Sequence, residues 1–152
     1  MKNTFKLDEY DVKILKELQR DARISYRELA RKVGLSTTAV ISRVKALEES
    51  GVIEGYTAII NPELIGYDIT AIIEVVVSRG YLVEVEREIA SDPSVVCVYD
   101  ITGETDAIII ARFRNRRDLS TFVKRILAMP HVDRTITHIC LTRVKEDFRI
   151  PI

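Results

Sequence analysis

Scarcity says as much as abundance in this chain of 152 residues. Tryptophan is absent, and the only cysteines are Cys97 and Cys140, neither with the spacing of a metal ligand set. The only histidines are His131 and His138. No HxxxH, no Gly-rich phosphate loop and no trustworthy Ser/His/Asp order accompanies them, so the chain offers no catalytic set and no metal or cofactor site. No apolar run approaches the ~18 residues that a membrane helix needs. Runs such as Ala107–Ala111 are only strand-sized. Met1–Lys6 lacks the apolar stretch and small-residue cleavage site of a signal peptide, which predicts a cytoplasmic protein with no membrane partner. Asn and Gln together number four (Asn3, Gln19, Asn61, Asn115), a scarcity of amides that resembles thermophile composition.

Excess charge of one sign is missing too: 23 Lys and Arg balance 23 Asp and Glu. The sum conceals an uneven distribution. Lys13 to Lys45 carries nine bases against three acids (Glu17, Asp21, Glu28), whereas the chain from Asn61 onward carries 12 bases and 14 acids. A basic footprint therefore lies in the first third alone. Apolar residues at 47% and charged ones at 30% describe a soluble globular chain with a core, large enough for one medium or two small domains.

The first fifty residues read as three helices. Asp8 is an N-cap with Asp11 as its capping-box partner, followed by Val12, Ile14, Leu15 and Leu18 at helical spacing over roughly residues 8–21. Ser25 caps a short second helix with Leu29, Ala30 and Val33 on its apolar face. Gly34 stops it, Leu35 follows, and Ser36 caps a third helix with a buried stripe at Val40, Val44 and Leu47. Two helices joined by a three-residue bend containing Gly are the signature of a helix-turn-helix. The third helix would enter a major groove N-terminus first, presenting Thr37, Thr38, Ile41, Ser42 and Lys45, with Arg43 at its flank. Thr and Ser suit base edges or phosphates, Ile41 a thymine methyl, and Arg43 and Lys45 phosphate or guanine. Ser36 and the first-turn N–H groups suit a phosphate, and Tyr26–Arg27 the DNA backbone. The bland alternative is an ordinary polar helix face.

Val52–Ile60 is β-branched, and Asn61–Tyr67, with Pro62 and Gly66, reads as a linker. Beyond it the expected order is a strand over Ile69–Ser78, a helix through Leu82, Val85 and Ile89, strands over Val95–Thr102 and Ala107–Phe113, a helix capped at Asn115, and a final strand over Val132–Val144. The order β-α-β-β-α-β predicts a ferredoxin-like sandwich in an α+β protein. Its helices cover one sheet face, and the other needs cover, usually a second subunit. Cys97 and Cys140 then fall on the two edge strands, too far apart for a disulfide, as two small buried hydrophobes.

Two features of this half suit a ligand. The turn Gly103-Glu104-Thr105-Asp106 offers a Gly, free turn N–H groups and two carboxylates, and Thr135 and Thr137 place hydroxyls on a strand face that should be buried. Acceptors for an ammonium beside donors for a carboxylate match an amino acid. An ordinary hairpin turn with β-favouring threonines explains the same residues equally well.

Leu7–Asp11, Ala22–Ala30, Val33–Ser36, Arg43-Val44, Gly51–Ala58, Val98-Tyr99 and Gly103–Asp106 together resemble the Lrp/AsnC family, the feast/famine regulators, over about residues 7–148. The resemblance implies a winged-type helix-turn-helix domain over 1–60 that ends in a hinge strand, Tyr56–Ile60, which pairs with its twin in a dimer. A linker over 61–68 and a regulatory RAM domain over 69–152 would follow. It implies a pseudo-palindromic double-stranded DNA site and a homodimer that assembles to tetramers or octamers. It further implies an amino-acid effector bound between dimers near Tyr99, Thr102, Gly103, Glu104, Thr105, Asp106, Thr135 and Thr137, the two threonines matching by type and place only. Two alternatives remain: a small-molecule-sensing module without DNA, and an enzyme similar to the siroheme decarboxylases of this family, which the scarcity of His disfavours.

Overall fold

The computed structural model describes residues 5–152. They form two compact units, one made of the residues up to Ile59 together with Glu146–Ile152, the other of Ile60–Lys145.

In the first unit, α1 (Glu9–Arg20), α2 (Tyr26–Val33) and α3 (Thr37–Glu49) follow their caps. The Asp8 carboxylate accepts from the N–H groups of Tyr10 and Asp11 at 2.9 Å, and Asp11 returns a bond from the Asp8 N–H at 3.1 Å, completing the capping box. Gly34 adopts φ 78°, the left-handed cap that residues with a Cβ avoid, and its N–H and that of Leu35 both reach the Ala30 carbonyl. The chain thus bends sharply before the next cap, Ser36. Ile14, Leu15, Leu29, Ala30, Val33, Val40, Val44 and Leu47 meet in one core.

The Val52–Ile60 segment departs from expectation: it forms no strand, and Ile59 is 91% exposed. A strand exists only through the ladder bonds of a neighbour, and nothing among the described residues supplies one here.

In the second unit the short 3-10 turn Glu63–Ile65 interrupts the expected linker. Then come β1 (Ile69–Val77), α4 (Leu82–Ala90), β2 (Val95–Asp100), β3 (Ala107–Phe113), α5 (Arg116–Leu127) and β4 (Val132–Ile139). The sheet is antiparallel in the order β2-β3-β1-β4, the ferredoxin-like arrangement. On β1, Ala71, Ile73, Val75 and Val77 are buried toward α4 and α5 with Val85, Ile89, Ile109, Phe122 and Ile126, while Ile72, Glu74 and Val76 face the other way. β4 stops at Ile139 instead of Val144. β1 begins at Ile69, so beyond the Cys140 N–H bond to the Thr70 carbonyl the last strand has nothing to pair with. Cys97 and Cys140 are free and half-buried, on opposite edges of the sheet.

Candidate functional site

The burial of α3 decides what its other face presents. Val40, Val44 and Leu47 are fully buried, which turns Thr37, Thr38, Ile41, Ser42 and Lys45 to solvent. Ile41 is 44% exposed, which leaves its side chain free for an apolar contact beside the hydroxyls. Ser36 Oγ accepts from the Ala39 N–H at 3.2 Å, and the first turn of α3 carries no acidic residue to repel a phosphate. Tyr26 and Arg27 are exposed at the start of α2. Tyr56 donates to Glu48 Oε1 at 2.9 Å, and burial, reinforced by Glu48, pushes its phenol up to about 12. The segment after α3 is therefore pinned to that helix by a phenol that stays protonated.

Within the chain, Arg43 already has partners. Its Nη1 lies 2.7 Å from both Asp8 Oδ2 and Asp11 Oδ1, with the guanidinium 5.5 Å above the Tyr10 ring. The Asp11 N–H holds the Asp8 carboxyl below its usual range against the opposing effect of desolvation, and Arg43 adds to the lowering. The Asp8 and Asp11 carboxylates in turn raise Arg43. This side chain ties α3 to the cap of α1. Sequence reasoning took Asp8 and Asp11 for a cap alone; two carboxylates three residues apart on one turn are also a ready seat for a cation from a neighbouring helix.

In the second unit the Gly103–Asp106 turn leads into β3. Gly103 has φ 139°. The Asp106 N–H donates to the Val75 carbonyl at 2.9 Å, and Asp106 Oδ2 accepts from the Val77 N–H at 2.8 Å, where β1 and β4 shift register. Thr105 is buried, and its hydroxyl donates to Glu74 Oε2 at 3.1 Å. Glu74 Oε1 lies 2.9 Å from His138 Nε2. Thr102, Gly103 and Glu104 stay exposed. The turn is thus built into the end of β1, and of its two carboxylates Asp106 is engaged with the backbone.

The other expected ligand residues are not brought together within one chain. Thr135 pairs with Val75 and Thr137 with Ile73, on the helix side of an edge strand. Tyr99 lies opposite Ile108, on the far edge and the uncovered face. Glu74 and His138 were missed. The signal was a lone carboxylate in the β-branched run Ile69–Val77, a position that demands partners. Among the described residues no cluster of His, Cys, Asp or Glu is arranged to hold a metal ion, and no helix is long and apolar enough to cross a membrane.

Comparison with known proteins places this geometry. Residues 7–54 match the family profile for winged helix-turn-helix DNA-binding, and residues 70–150 match the Lrp/AsnC ligand binding domain. The chain belongs to the Lrp/AsnC family. An uncharacterised HTH-type transcriptional regulator of Pyrococcus abyssi is 50% identical over 144 residues, 95% of this chain and 98% of its own. The leucine-responsive regulatory protein of Haemophilus influenzae is 35% identical over 92% of this chain and 87% of its own. Among solved structures, a transcriptional regulator of Neisseria meningitidis in complex with L-Met superposes with a TM-score of 0.87 at 29% identity, covering 96% of this chain and 97% of that one. As a member of the Lrp/AsnC family the protein is a helix-turn-helix transcriptional regulator, and the Gly103–Asp106 turn lies within its Lrp/AsnC ligand binding domain.

Proposed function

We propose that the protein is a sequence-specific, DNA-binding dimer, working in the cytoplasm, whose assembly responds to an amino acid. The observation that carries this reading is the exposed row Thr37, Thr38, Ile41, Ser42 and Lys45 on a helix whose other side is fully buried. The first unit, to which Glu146–Ile152 returns, carries DNA binding, and Ile60–Lys145, in place of the expected 69–152, carries effector binding and assembly. Ser36 and the α3 N-terminus meet a phosphate, Tyr26 and Arg27 touch the backbone beside it, and the outward row reads base edges. One helix reads only a few base pairs, so two copies on a pseudo-palindromic site about one helical turn apart supply length and affinity. The second copy covers the open sheet face.

The same reading assigns the effector to the exposed rim Thr102–Glu104, with Glu104 as the acceptor for its ammonium group. Tyr99, Thr135 and Thr137 lie on opposite faces of one sheet, so they serve a single site only when different subunits contribute them. That fits an effector that bridges dimers and shifts an equilibrium among dimers, tetramers and octamers. Thr105 and Asp106 shape the turn through Glu74 and Val77. The L-Met complex of the Neisseria regulator supports an amino acid as the ligand class.

Selection of bound genomic fragments, repeated with and without a pool of the twenty amino acids, tests both halves. On a selected fragment, Lys45→Ala reduces the salt slope by about 1, and Ser42→Ala changes base preference more than total affinity. A protein that stays monomeric and ignores duplexes in dilute buffer overturns the proposal.

A further inference from the structure

The Glu146–Ile152 segment packs with the DNA-binding unit although the chain has by then passed through the whole of the other unit. The contact is specific. Gln19, on the outer side of α1, donates from Nε2 to the Ile150 carbonyl at 3.1 Å and accepts from the Ile150 N–H at 2.7 Å. One side-chain amide thus satisfies both backbone groups of one residue, the pairing a neighbouring strand would offer. Three features prepare the segment. Pro151 confines Ile150 to extended backbone. Asp147 holds Arg149 through its N–H at 3.1 Å and its guanidinium at 2.9 Å. Lys16, Gln19 and Arg20 of α1 line a hollow of about 200 Å³ with Arg149, Ile150, Pro151 and Ile152. Apolar exposure falls along the stretch, from 97% at Leu141 and 93% at Val144 to 68% at Ile150 and 39% at Ile152.

We propose that the outer face of α1 is a docking site for an extended peptide, that its occupant is the chain's own Glu146–Ile152 segment, and that Gln19 is the residue that reads it. The chain passes between its units twice, after Ile59 and after Lys145, and a docked segment turns the second passage into a working tether. A DNA-binding unit held by two connections explores fewer orientations than one held by the Tyr56–Ile60 stretch alone. The gain falls on binding that requires two such units at once, since pre-ordering raises effective concentration without adding a DNA contact. This consequence rests on the DNA-binding dimer proposed above; the docking itself does not.

The test uses the full-length chain, Gln19→Leu and a chain ending at Lys145. Amide exchange is read by mass spectrometry on the peptide containing Ile150, and affinity on a selected two-half-site fragment and on the same fragment with one half-site scrambled. The wild-type peptide is protected, and Gln19→Leu raises its exchange about tenfold. Gln19→Leu and the shortened chain both bind the two-site DNA about tenfold more weakly while keeping single-site affinity within about twofold. A wild-type segment that exchanges as free peptide, protection unchanged by Gln19→Leu, or equal effects on the two DNAs overturns the inference. If wild type binds neither fragment, the regulator reading fails, and the exchange arm still decides the docking.

Discussion

Removing the Arg43 guanidinium separates a clamp from a DNA contact. In Arg43→Met the aliphatic stem survives, but Asp8 and Asp11 lose the cation between them. Asp11 matters most: its side chain is 11% exposed, against 49% for Asp8, and Arg43 is itself only 32% exposed. Breaking a buried pair by deleting one partner costs about 3–5 kcal/mol, and an exposed pair is worth about 0–1 kcal/mol. The Asp11–Arg43 geometry lies between, at about 2 kcal/mol. In a helical unit of this size each kcal/mol moves Tm by about 4–8 °C, so the transition of the first unit falls by roughly 10 °C, read by circular dichroism. Asp11→Asn in the same background recovers part of the loss, because the orphaned charge is gone. The acid limb changes as well. The Asp8 carboxyl is held below its ordinary value in the folded chain, so its contribution is present above that ordinary value and is lost as pH falls through the lowered one. Arg43→Met shallows this loss below about pH 4. An unchanged Tm with a uniform fall in DNA affinity, measured well below the transition, would refute the clamp and return Arg43 to the phosphate.

Asp106→Ala orphans the Val77 N–H and destabilises the second unit by about 1–2 kcal/mol, whereas Asp106→Asn keeps an acceptor there and loses less than half of that, both read by thermal unfolding. Burial, then the Asp100 charge, raises the Glu86 carboxyl, whose Oε1 is buried without a partner. A raised folded value means that the ionised form opposes folding, so stability is lost as pH rises through it. Glu86→Gln therefore stabilises by about 1 kcal/mol at pH 7, and the gain vanishes in acid where Glu86 is already neutral; a gain that persists at pH 3 contradicts this account.

What the residues disclosed in advance was local. Ser25, Gly34 and Ser36 mark the helix-turn-helix because each satisfies or breaks backbone bonds within four positions of itself. The Ile- and Val-rich runs Ile69–Val77 and Ala107–Phe113 gave the strands, since β-branched side chains suit a pleated surface, and burial alternates along both as the pleat requires. What the sequence did not disclose depended on a distant partner. The end of β4 is set by where β1 begins, the Val52–Ile60 segment finds no neighbouring strand among the described residues, and the carboxylates that meet Arg43 lie 32 and 35 positions away. The ligand residues divide along the same line. Gly103–Asp106 was visible as a turn, but that Tyr99 and Thr137 lie on opposite sides of the sheet requires strand order and register together.

The Glu74–His138 pair sits on the bare side of the sheet amid Ile72, Ile108, Ile110 and Ile136. Without it, that surface would be a greasy plate open to any hydrophobic passer-by, including half-folded neighbours. With it, a visitor that dries the plate must also seat a carboxylate and an imidazole, and a chance companion lacks the complementary groups to do so. The two polar groups thereby screen company: casual adhesion to the plate carries a cost that only complementary groups offset.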